Sequence, residues 1–235
     1  KAAAKELLEG LQDDVEYCIT GNSLRANVAW FAAQRAQQEG NLDLYMARLQ
    51  AARDSAALGT SCEGLFADLS SHFAAPVGRS VEIHRLSASL NQTILQMLLP
   101  QAQAANLQTE AGMMLMVEAN LAMGSVLTSL AMVVDHDPKD WGSRLVLAQM
   151  VILQKGRDTG KGPTLSGDSA TMVLELVESA QKIGTNDAEC QYNAGSLLND
   201  ARLGNPRLPF KRFLELAPND PRSPEIKRYL DATKP

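Results

Sequence analysis

Two glycine–proline pairs with the same spacing most constrain what this chain folds into. Gly124 precedes Pro138 by 14 residues (138 − 124), and Gly204 precedes Pro218 by 14 (218 − 204). A glycine ends a helix by taking the left-handed conformation. A proline cannot continue a helix but suits the first turn of the next one. Val133-Val134-Asp135-His136-Asp137-Pro138 and Phe213-Leu214-Glu215-Leu216-Ala217-Pro218 therefore read as the same device: glycine turn, short helix, proline turn, new helix. Asp140 and Asp187 are the expected N-caps of helices that follow. A recurring helix-turn-helix unit predicts stacked helix pairs.

The hydrophobic period agrees. Val81, Leu86, Leu90, Ile94, Met97 and Leu98 form one stripe at spacings of one to five. Leu145, Ala148 and Ile152, and then Val173, Leu176, Val177 and Ala180, do likewise. Aromatic residues are only 5% of the chain while alanine is abundant, which suits close helix–helix contact better than a sandwich of sheets. The expected helices lie near 2–18, 22–39, 41–57, 62–73, 79–99, 101–123, 125–135, 139–155, 168–183, 187–202, 207–216 and 222–232. Pro76-Val77-Gly78 and Pro100 interrupt the middle. They suggest an N-terminal helical group over 1–75, a connecting helix over 76–104 and a C-terminal group over 105–235, with one continuous domain as the alternative. At 235 residues with 45% hydrophobic residues, the chain can bury a sizeable core.

The segment from Phe210 to Asp220, followed by Ser223 to Tyr229, resembles the second helix, closing proline turn and capping helix of a tetratricopeptide repeat. Ala194, 24 residues before Pro218, occupies the family's small position, and Ala148 in Ser143 to Gln154 holds the corresponding place. Trp30 to Asn41 resembles a third first helix, with Ala33 seven before Gly40 and with Tyr45, Leu49 and Ala52 following at helical intervals. Pro206 departs from the pattern, and Ala148 and Ala194 are 46 apart where a regular repeat has about 34. The resemblance implies an all-α fold of antiparallel helix pairs stacked as a short superhelix. It also implies a concave groove that takes a protein or peptide segment. Its lining is expected at Asn27, Trp30, Gln34, Gln37 and Gln38, at Gly142, Leu145, Gln149, Ile152 and Leu153, and at Ala188, Gln191, Gly195, Leu198 and Asn199. Asn27, Trp30, Gln34, Gln149, Gln191, Leu198 and Asn199 are the foremost candidates. The basic residues that clamp a carboxylate in some members are absent from these positions.

Other chemistries find less support. A net charge of −5 with no basic tract argues against nucleic-acid binding. No apolar run approaches the roughly 20 residues of a membrane span, since Glu118 interrupts the short run Met113 to Val117. Cys18, Cys62 and Cys190 form neither a metal motif nor an evident disulfide framework, and buried thiols are expected. His72, His84 and His136 are scattered, with no second histidine at i+3 or i+4. Lys155 to Ser169, with four glycines, fails the spacing of a phosphate loop and reads as a mobile surface loop. Asp13, Asp14 and Glu16 read as a solvated face, and Glu110 and Glu118 lack the histidines of a di-iron bundle. Met113, Met114, Met116, Met123 and Met132 read as core filling. The expectation is a non-enzymatic scaffold without metal or cofactor. A second reading is an all-helical carrier of a small apolar or lipidic ligand, motivated by Leu86 to Val134. Self-association is left open. Because the chain begins at Lys1, both a cytoplasmic and a mature exported form fit.

Overall fold

A computed structural model describes residues 2–69, 77–158 and 163–233. Among the described residues the fold is all-α, with nine helices and one two-stranded ladder. It divides into two compact units, Lys1–His136 and Asp137–Pro235. The boundary differs from the three-part division expected from Pro76 and Pro100, because the helix after Pro76 pairs with the next one inside the first unit.

The first unit holds α1 (Ala2–Gln38), α2 (Leu42–Leu69), α3 (Val77–Ala104) and α4 (Glu110–His136). Gly40, at φ 71°, turns the chain between α1 and α2, and the Asn41 N–H donates back to Ala36 O at 2.9 Å. That is the expected glycine terminator. The α1–α2 seam buries Val15, Ile19, Ala26, Ala33 and Ala36 against Tyr45, Leu49, Ala52 and Ala56. The alanines let the backbones approach closely. In the α3–α4 pair, Leu90, Ile94 and Leu98 are buried, as are Ala119, Ala122, Val126, Leu130 and Val133. Each fully buried leucine, isoleucine or valine contributes about 1.5–3 kcal/mol relative to exposure. Gly59 brings α2 against α3, since a Cβ there would lie 2.8 Å from Ile83.

Several expected breaks are absent. α1 runs through 19–21 and α2 through 58–61, so each replaces two shorter helices. Pro100 lies inside α3, four residues before its end, where only one intrahelical bond is lost and the side chain is exposed. Gly124 lies in the interior of α4 with open space around its Cβ position. A glycine there costs about 1 kcal/mol relative to alanine, which the buried face of α4 outweighs. Gly124 and Gly204 are therefore not equivalent: Gly204 has φ 55° in a turn. The glycine turn expected at Gly124 is not formed. α4 is also long enough to cross a membrane, and an 18-residue window of it is apolar enough by composition, with mean hydropathy 1.5. It packs against α3 here.

The second unit holds α5 (Trp141–Lys155), β1 (Arg157–Asp158), β2 (Pro163–Thr164), α6 (Asp168–Ile183), α7 (Ala188–Ala201), α8 (Arg207–Leu216) and α9 (Ser223–Ala232). Asp140 and Asp187 cap α5 and α7: their Oδ1 atoms accept from Ser143 N at 2.9 Å and Cys190 N at 3.0 Å. α5 packs on α6, α7 on α8, α9 on α8, and α5 also lies against α7. Phe210, Phe213, Ile226 and Leu230 form the core of the last three helices, with Tyr192 and Tyr229 packed around it. Arginines tie the turns. Buried Arg144 donates to Asp140 O and Ser179 Oγ, Arg207 to Leu230 O, and Arg212 to Thr185 O. The glycine-rich segment is not wholly a loop. Arg157–Asp158 pair antiparallel with Pro163–Thr164, and β2 contacts α5 and α7.

Candidate functional site

In the second unit, Gln149 on α5 and Asn199 on α7 are exposed, and Leu153 is 44% exposed. Gly142, Ile152 and Ala188 are half-buried. Gln191 and Leu198 differ from expectation. Gln191 is 4% exposed and its Nε2 donates to Gly184 O at 2.9 Å and Gln181 O at 3.3 Å, so it ties α7 to the end of α6. Leu198 is buried in the core, as are Leu145 and Gly195. A helix that packs on two neighbours presents fewer of its positions to solvent than a helix that packs on one. The expected small positions behave as packing requires. Ala148 and Ala194 have no exposed surface, and a Cβ on Gly195 would lie 2.5 Å from the Phe210 ring.

Beside this face, Arg222 closes the α7–α9 end. Its guanidinium donates to both carboxylate oxygens of Glu189, at 3.2 and 2.8 Å, and to Asp220. It also stacks 4.1 Å over the Tyr192 ring. The Arg222 hydrogen bonds hold the Asp220 carboxyl down at about 2 and Glu189 below its ordinary value.

In the first unit, Asn27, Trp30 and Gln34 are half-buried on α1, and the Asn27 amide donates to Ser23 O. The residues that the structure brings together are different ones. Glu63 on α2 lies 2.7 Å from Nε2 of His84 on α3 and 3.3 Å from Nε2 of His136 at the end of α4. Only the His84 contact is aligned as a hydrogen bond. Burial would raise the Glu63 carboxyl, but the His84 hydrogen bond, the adjacent Ser80 hydroxyl and the charges of His84 and His136 leave it below its ordinary value. Ser80 Oγ is buried. Ser87 and Ser129 share a further buried hydrogen bond of 3.1 Å between α3 and α4. The two histidines were expected to be scattered. Their 52-residue separation (136 − 84) hides a juxtaposition made by antiparallel pairing. His72 lies outside the described residues. Glu63 and His84 are closed from solvent, and the Glu63 carboxylate contacts both imidazoles directly. Among the described residues, no group of histidine, cysteine, aspartate and glutamate is arranged to hold a metal ion.

Cys18 and Cys62 form a disulfide between α1 and α2, a correction to the expected free thiols. Cys190 is a buried free thiol, and burial pushes it up to about 12. Two of the five methionines expected in the core, Met113 and Met114, are exposed on α4 together with Val117 and Leu121, whereas Met123 is buried.

In comparisons with known proteins, no family model matches the chain and no curated protein matches its sequence.

Proposed function

We propose that the chain is a protein-interaction scaffold whose second unit receives a partner segment across α5 and α7, as the first helices do in tetratricopeptide proteins. One observation carries this reading. α5 and α7 lie against each other, each is paired with the helix that follows it, and α9 packs on the end. Buried Ala148 and Ala194 sit within these helices, while Gln149, Leu153 and Asn199 stay exposed. Such a face is polar and apolar rather than charged, so affinity would come from shape and burial.

The test is affinity capture from the native source, with the wild type and with Gln149→Arg/Asn199→Arg as paired baits. Loss of a specific protein partner by the variant, with an unchanged circular dichroism spectrum, supports the scaffold. Equal capture by both baits removes this face from consideration. A small apolar molecule copurifying with both baits, and no protein partner, favours the carrier reading instead.

A further inference from the structure

Tyr17, Leu24, Val28 and Phe31 are 61–76% exposed on α1, although the opposite side of the same helix is buried against α2. At 3.6 residues per turn these four, with Asp13 and Arg35, fall within a sector of about 60°. Their steps of seven, four and three are those of a coiled-coil seam. The helix thus has two apolar faces, and among the described residues only one of them is buried.

We propose that this second face binds a second copy of α1, antiparallel, across a two-fold axis at Leu24. The sequence is symmetric about that residue in the way such an axis requires. Tyr17 and Phe31 each lie seven residues from Leu24, so each aromatic faces the other's counterpart in the copy. Asp13 and Arg35 each lie eleven residues from Leu24, so opposite charges meet at both ends. Both are exposed, and Arg35 pairs with Glu39 of its own helix, a surface pair of little worth. The parallel arrangement instead opposes Asp13 to Asp13 and Arg35 to Arg35. The charges therefore select both the orientation and the identical partner. The overlap from 13 to 35 is about 33 Å of helix. The exposed face of α4 offers no such match, because Met113, Met114, Val117 and Leu121 are flanked by Glu110 and Glu118. This inference is independent of the reading of the second unit.

Sedimentation equilibrium of the whole chain tests it. The wild type is expected to dimerise reversibly, and Leu24→Glu to weaken the dimer by at least about tenfold. Asp13→Arg and Arg35→Asp should each weaken it, and the two together should restore it. Leu24→Cys, mildly oxidised, should give a covalent dimer through that position, because the axis sets the residue against itself. A wild type that stays monomeric at about 100 μM overturns the proposal. So does a dimer indifferent to Leu24→Glu, or a double charge exchange that fails to restore what the single exchanges lose. The exchanges alter exposed side chains only, so they remain decisive if Leu24→Glu fails to fold.

Discussion

Glu63 and His84 meet at 2.7 Å inside the first unit, each with less than a tenth of its side chain exposed. This contact joins α2 to α3, and His136 approaches the other carboxylate oxygen from the end of α4. One carboxylate thus links three helices. Removing it leaves two imidazoles without the carboxylate they share. Glu63→Ala should cost about 3–5 kcal/mol in urea denaturation, the range for breaking a buried pair from one side. The folded carboxyl holds its proton less tightly than the unfolded one, whose ordinary value is 4.5. The stability it adds is therefore complete above that value and lost as pH falls through the lower folded one. Urea midpoints followed from about pH 6 to about pH 3 should drop more steeply for the wild type than for Glu63→Gln. Parallel curves would remove the assignment.

The disulfide closes a loop of 44 residues between Cys18 and Cys62. Gly40 stands midway, so the bridge ties the two helices of one hairpin at matching heights. Chain-entropy arguments give about 4 kcal/mol for a loop of this length. Cys18→Ser/Cys62→Ser should lower the thermal midpoint. Thiol labelling provides a second check: none expected in the native protein, one after denaturation, and three after denaturation with reductant. The protection of Cys190 follows from its burial and its thiol value of about 12, so it stays protonated at neutral pH. Because its folded value is raised, stability should decline between about pH 9 and about pH 12, where only the unfolded thiol ionises.

How much of this was legible depended on the range over which the physics acts. Local signals were readable. Asp140 and Asp187 cap helices because a short acceptor before an amphipathic run is sufficient, and Gly40 and Gly204 turn the chain for the same local reason. Gly124 misled because its neighbours supply enough buried surface to carry the helix through it. Glu63, His84 and His136 were illegible because three distant positions converge only once α2, α3 and α4 pack. The Cys18–Cys62 bridge left one signal, their equal distance from Gly40, which acquires meaning only when 19–21 and 58–61 are known to be helical. Gln191 looked like a groove residue by position, yet its amide serves the carbonyls at the end of α6.

The closest helix approaches in the second unit are made by residues with little or no side chain. Gly195 faces the Phe210 ring, and a methyl there would lie 2.5 Å from it. Gly195→Ala should therefore destabilise by about 1–3 kcal/mol, against the usual gain of alanine over glycine within a helix. Ala148→Leu and Ala194→Leu should each cost a similar amount, since neither site has free space at the surface. An unchanged denaturation midpoint for all three would show that α7 and α8, and α5 with its neighbours, are less closely packed than described.

The segment between α5 and α6 gives the last expectation. Taken as a free loop, 156–167 would tolerate replacement by a four-residue polar turn, because closure entropy changes slowly with length. The β1–β2 ladder alters that forecast. Pro163 and Thr164 are half-buried, and a Cβ on Gly156 would lie 2.9 Å from the Pro163 side chain. β2 also contacts α5 and α7, so deleting it uncovers part of both helices. The replacement should then lower stability by about 1–3 kcal/mol, in the range of losing a packed element's contacts. A shorter exchange confined to 159–162, leaving both strands in place, should cost less. Equal midpoints for the two variants would mean that the ladder contributes nothing to the packing of α5 and α7.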